Sequence, residues 1–184
     1  MCTACLAALA LALVGLSACD SPSPDEVIAC SKQYAAEGSV TLSPQQQTAR
    51  KACHDKALKF IDRADSMYPA AYQEVFGSLE LAAIKDLDVW VSSGGKLEDV
   101  NTVVVPACGR LVTLYASPQE RRGFDKKLRD EWLFRVDFCA KATVHQKYPQ
   151  PEFENKAIVQ QVCKPDGNRL WSIMCGRAGI AMTP

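Results

Sequence analysis

From Pro24 onward, apolar positions recur at spacings of three and four, the period of one face of an α-helix. Three stretches open such runs in the same way: Ser23-Pro24-Asp25-Glu26, Ser43-Pro44-Gln45-Gln46 and Ser117-Pro118-Gln119-Glu120. The serine oxygen takes an orphan backbone N–H, proline fits the first helical position, and the Glu or Gln side chain reaches back to the cap. The pattern predicts a first helix from Pro24 to about Glu37, stopped at Gly38, and a second from Pro44 to about Met67. Ala49, Cys53, Ala57, Phe60, Ile61, Ala64 and Tyr68 share one face of the second. Lys51, Asp55 and Lys59, four apart on its other side, form solvated pairs. A third helix runs from Pro69 to about Ser92 and ends at Gly94-Gly95. Its stripe of Val75, Phe76, Leu79, Ala83, Leu87 and Trp90, widened by Leu81, Ile84 and Val91, marks it as central.

Residues 96 to 116 carry conflicting signals. Val103-Val104-Val105 favours a strand, and Pro106 breaks a helix. A lone strand has no partner here, so the reading is a helix from near Leu97, kinked or restarted at Pro106. A fifth helix is expected from Pro118 to about Lys147, with Phe124, Leu128, Trp132, Val136, Cys139 and Thr143 on one face. A sixth runs from Pro151 to Cys163, and a short last one holds Leu170, Trp171, Met174 and Cys175. Lys164-Pro165-Asp166-Gly167 reads as the turn between them. The fold class is therefore all-α: a helical bundle of about six or seven helices.

The N-terminus follows a different pattern. An apolar run, Leu6 to Val14, is too short to span a bilayer. It is followed by Leu16-Ser17-Ala18-Cys19 and the turn-forming Asp20-Ser21-Pro22-Ser23-Pro24. This stretch resembles the signal peptide and lipobox of bacterial lipoproteins, although Met1 to Cys5 lack the usual Lys or Arg. The resemblance implies cleavage before Cys19, lipidation of Cys19 and a chain tethered to the envelope, facing the periplasm. Asp20 resembles an inner-membrane retention signal. The organisation expected is a signal at 1–18, a short tether at 19–24 and a single helical domain at 25–184.

Of the nine cysteines, Cys2 and Cys5 would leave with the signal, and Cys19 would be lipidated. The remaining six suit a disulfide framework in an oxidising compartment. No C-x-x-C occurs among them, so neither a thioredoxin-like motif nor a paired-knuckle zinc site is indicated. In a helical hairpin, residues equidistant from the loop lie side by side. That pairs Cys30 with Cys53 and Cys139 with Cys163, leaving Cys108–Cys175. The rival is Cys163–Cys175 across the Pro165 turn, with Cys108–Cys139.

Charge is balanced, with 21 basic and 21 acidic residues. There is no basic surplus to neutralise phosphates, so nucleic acid is not expected as a partner. His54 and His145 read as partly exposed helix residues, and Cys53-His54-Asp55, adjacent on a helix, points three ways. Glu80, Asp86, Asp130 and Glu131 read as solvated carboxylates. No catalytic, metal or cofactor motif is found. The expectation is a binding protein rather than an enzyme: an inhibitor or immunity lipoprotein blocking a toxin or envelope hydrolase. The alternative is an accessory lipoprotein of a secretion or transport complex. Interface candidates are Trp171 and the basic stretch with Arg121, Arg122 and Lys126.

Overall fold

A computed structural model describes residues 23–35, 42–64, 69–116, 126–164 and 169–181. The described residues form an all-α bundle held by three disulfides, with no strand among them. The helices are α1 (Pro24–Ala35), α2 (Pro44–Ala64), α3 (Pro69–Ser92), α4 (Val105–Tyr115), α5 (Lys126–Val144), α6 (Pro151–Glu154), α7 (Lys156–Val162) and α8 (Arg169–Arg177). None is long and apolar enough to cross a membrane.

The first two start signals work as reciprocal capping boxes. Glu26 N–H donates to Ser23 Oγ and Ser23 N–H to the Glu26 carboxylate, both at 3.3 Å. Gln46 N–H donates to Ser43 Oγ at 3.3 Å, and Ser43 N–H to Gln46 Oε1 at 2.9 Å. The third signal, at Ser117, lies outside the described residues.

Helix α3 is central, packing on α1, α2 and α4. Its first half supplies Val75 and Leu79 to one core, with Val27, Ala57, Phe60 and Ile61. Its second half supplies Ala83, Leu87 and Trp90 to another, shared with α4, α5 and α8. Gly94 and Gly95 end it as expected, both at positive φ, where glycine is the least strained residue. Gly95 N–H returns to Trp90 O at 2.9 Å, and a Cβ on Gly95 would lie 3.2 Å from the Trp90 ring. Tyr148 and the Trp90 indole close the corner, donating to Gly95 O and Lys96 O, each at 3.0 Å.

The Val-rich stretch is helical. A 3-10 turn (Leu97–Asp99) leads into a π turn (Val100–Val104), which runs directly into α4. Pro106 explains the widening. It has no N–H to give to the carbonyl one turn back, and its ring crowds that carbonyl. The backbone expands by one residue before it, and Val105 N–H bonds to Val100 O.

Two parts of the sequence reading need correction. Leu81 and Val91 do not widen the buried stripe of α3; both are exposed. Of the expected disulfides, only Cys30–Cys53 is present as first drawn, with Cα atoms 5.8 Å apart. Cys139 pairs with Cys108 (Cα–Cα 5.6 Å), not Cys163, and Cys163 pairs with Cys175 (5.9 Å), so Cys108–Cys175 is also absent. The hairpin argument fails because the sixth helix is not continuous. Asn155 leaves helical geometry (ψ 104°), and its side chain caps a new helix by accepting from Ala157 N–H at 3.0 Å. Helix α7 therefore does not run back along α5. The partners of α5 are α4 and α8, and Cys139 meets α4.

Non-reducing tryptic mapping should find residues 97–110 linked to 136–141, and 157–169 linked to 170–177. Replacing Cys163 and Cys175 together by serine should lower unfolding stability by about 3 kcal/mol in urea titrations, through the unfolded chain. A 97–110 peptide linked to 170–177 would refute this pairing.

Candidate functional site

Asp86 lies on the core face of α3 and is 0% exposed. Glu80, also on α3, is 5% exposed. Both had been read as solvated carboxylates, and the structure overturns that. Asp86 follows Leu79 by seven residues and precedes Trp90 by four, so it occupies the buried stripe itself. A bare carboxylate there would be costly, and it is paired from both sides. Arg50 of α2 places Nη1 3.0 Å from each Asp86 oxygen and donates from Nη2 to Ala82 O at 3.1 Å. Arg110 of α4 donates from Nη2 to Asp86 Oδ2. Burial pushes the Arg110 pKa down, Asp86 opposes that shift, and Arg50 adds to it. Glu80 accepts from the Tyr115 hydroxyl of α4.

In front of this cluster is a cavity of about 630 Å³, between α2 on one side and the π turn, α4 and α5 on the other. Leu79, Val103 and Val136 give it apolar walls, and exposed Lys51, Asp55 and Leu133 stand among its lining residues. Arg50, Arg110 and His54 line it, whereas Asp86 lies behind the arginines and does not. Gly109 also lines it, and a Cβ added there would meet nothing within 4 Å.

His54 is held neutral. Its pKa is lowered from 6.5 to about 4, first by burial, then by the Arg110 charge, with Asp55 opposing and Arg50 and Lys51 assisting. Its Nδ1 is 3.9 Å from Asp55 Oδ1. Cys53 is bound to Cys30, so Cys53-His54-Asp55 offers no free thiol. His145 accepts from Gln150 N–H through Nδ1 at 2.9 Å and packs against Phe153. It helps to close the turn after α5.

The expected lipidation site, Cys19, and two of the expected interface residues, Arg121 and Arg122, lie outside the described residues. Lys126 opens α5, exposed and 2.8 Å from Asp130. Trp171 of α8 is half-buried, its ring edge-on to Phe138 with centroids 5.0 Å apart. The sequence reading did not single out Phe134, which is 57% exposed one turn before Phe138. Neither did it single out Arg50, Arg110 or the cavity they line. Among the described residues, no cluster of three or more His, Cys, Asp or Glu is placed to hold a metal ion.

No protein-family model, no curated protein and no solved structure matches this chain.

Two measurements test the cluster. Asp86→Asn leaves two guanidiniums without their shared carboxylate and should cost about 3–5 kcal/mol of unfolding stability, read by urea denaturation at pH 7. His54 should make stability pH-dependent. Above pH 6.5 the imidazole is neutral in both states, and its contribution is fully present. As pH falls through 6.5 towards 4, the unfolded chain takes a proton that the folded one refuses, and that contribution is lost. Between pH 7 and pH 5 the chain should lose about 2 kcal/mol more than His54→Gln does. Equal losses in the two proteins would rule out a depressed His54 pKa.

Proposed function

We propose that the chain is a lipid-anchored, periplasm-facing binding protein, tethered through Cys19, that docks a protein partner and acts by steric occlusion. The most concrete form is an inhibitor or immunity lipoprotein that blocks a toxin or an envelope hydrolase. The observation that carries the docking reading is the outer face of α5. Phe134 is 57% exposed there. Phe134 lies one turn from the buried Phe138, on which the half-buried Trp171 ring packs. Exposed Lys127 and Glu131 continue that face at helical spacing towards the basic start of α5. Aromatic side chains ringed by mixed charge are the usual anchors of protein interfaces. Three disulfides suit the domain to an oxidising compartment, which agrees with a periplasmic tether.

The test uses the chain from residue 19, with Cys19→Ser, as bait for detergent-solubilised envelopes and for lysates of competing bacteria. The expected result is one stoichiometric partner, held at least about tenfold less tightly by Phe134→Ala, a loss typical of an interface anchor. The purified partner should lose its lytic or toxic activity when titrated with the bait. A partner that binds but keeps its activity, or that belongs to a multi-subunit machine, would favour an accessory role. No partner, or one held equally by Phe134→Ala, would overturn docking through α5.

A further inference from the structure

The cavity invites a separate question, since the docking face centres on Phe134, which is not among its lining residues. We propose that the cavity binds a long-chain monocarboxylate, with its headgroup at Arg110 and its alkyl tail against Leu79, Val103 and Val136. The proposal does not depend on the identity of any protein partner.

Two observations carry it, and a third sets its test. The first is charge. Among the described residues, two guanidiniums face the cavity and one carboxylate, Asp86, backs them from inside the core. Asp55 and Lys51, both exposed, pair with each other at 2.6 Å and cancel. Counting the described residues alone, the inner wall carries one positive charge in excess, which one anionic headgroup would match. A guanidinium has five N–H donors in a planar fork, and Arg110 gives Asp86 its Nη2. It keeps capacity for a second carboxylate, the acceptor that a fork suits best. His54, neutral beside it, adds a polar atom without a competing charge.

The second is the wall. Apart from the arginines and His54, the buried lining is mostly apolar: Leu79, Ala82, Val103, Val136 and the disulfide-bonded Cys53, with Ser31 the one buried hydroxyl and half-buried Trp132 and Thr113 alongside. An apolar cavity of this volume, with a few convergent polar groups at one place, is the usual form of a small-ligand site. The combination selects an amphiphile over a purely polar anion, since a short carboxylate would leave the wall unused.

The third is Gly109. Glycine inside a helix costs about 1 kcal/mol relative to alanine. A Cβ there would enter open space, as it would at Gly77 and Gly176, which line no part of the cavity, so the glycine by itself does not call for a ligand. It marks where a side chain added beside Arg110 would compete with one.

The chain from residue 19 with Cys19→Ser contains every described helix and serves for the test. Dodecanoate, kept below its critical micelle concentration, is titrated in by calorimetry and by tryptophan fluorescence, to which Trp132 reports. Saturable one-to-one binding is expected. Dodecan-1-ol, dodecyltrimethylammonium and acetate should each bind at least about tenfold more weakly, for want of charge, of the right charge, or of a tail. Gly109→Leu should weaken dodecanoate at least about tenfold while keeping the thermal midpoint, because the new side chain fills the tail's space. Arg110→Gln should do the same to the headgroup, with Arg50 still satisfying Asp86. Should Arg110→Gln fail to fold, Gly109→Leu and the ligand series decide alone. Absence of saturable binding, dodecanol binding as tightly as dodecanoate, or full affinity in Gly109→Leu would each overturn the proposal. Tighter binding of dodecyl phosphate would overturn the carboxylate assignment.

Discussion

The structure turns on one buried carboxylate. Asp86 sits where a leucine would ordinarily sit, fully removed from water in the second half of the longest described helix. Its charge is tolerable only because Arg50 and Arg110 reach it from α2 and α4. Both partners come from helices that pack directly on α3, and their guanidiniums converge on its carboxylate. The cavity lies in front of them, with Arg50 and Arg110 in its lining. The residues that neutralise the buried charge therefore also line the open space.

Around that point α3 serves as a shared wall for two apolar cores, and α4 joins them from the other side. Cys108, Leu111 and Val112 belong to one core, Leu114 to the other, and Tyr115 packs against both. The disulfides divide similarly. Cys30–Cys53 fastens α1 to α2, Cys108–Cys139 fastens α4 to α5, and Cys163–Cys175 fastens the end of α7 to α8. No bridge touches α3. It is held by packing, by the Asp86 cluster and by polar contacts at Glu74, Glu80 and Asp88, so loss of that cluster acts on a helix that no covalent link protects.

Much of the fold was legible. Helix starts could be read because a capping box is a local device: serine, proline and the third residue do their work within one turn. The extent of α3 and its glycine stop were legible for the same reason. The errors came from treating local periodicity as if it settled tertiary placement. The hairpin rule for cysteines assumed an unbroken sixth helix, and Asn155, a stronger cap than helix former, breaks it. The carboxylates were assigned to solvent on residue type, although the spacing of Asp86 from Leu79 and Trp90 already placed it on the core stripe. Its partners were beyond reach, because nothing in the sequence ties Arg50 or Arg110 to a residue 36 or 24 positions away.

Several departures from ordinary helix chemistry gather at one place. A buried aspartate, a π turn, a proline at the start of α4 and a mid-helix glycine with empty space over it all lie at or directly behind one cavity. Each carries a cost that a plain bundle would avoid: desolvation at Asp86, a lost backbone bond at Pro106, chain entropy at Gly109. Sequences that specify one fold are consistent at every level except where function imposes a competing demand. Open glycines also occur at Gly77 and Gly176, away from the cavity, so the weight falls on the buried aspartate and on the π turn that opens into α4. Those two costs are met at the cavity wall, where the Asp86 charge is neutralised by the same two arginines that line the space.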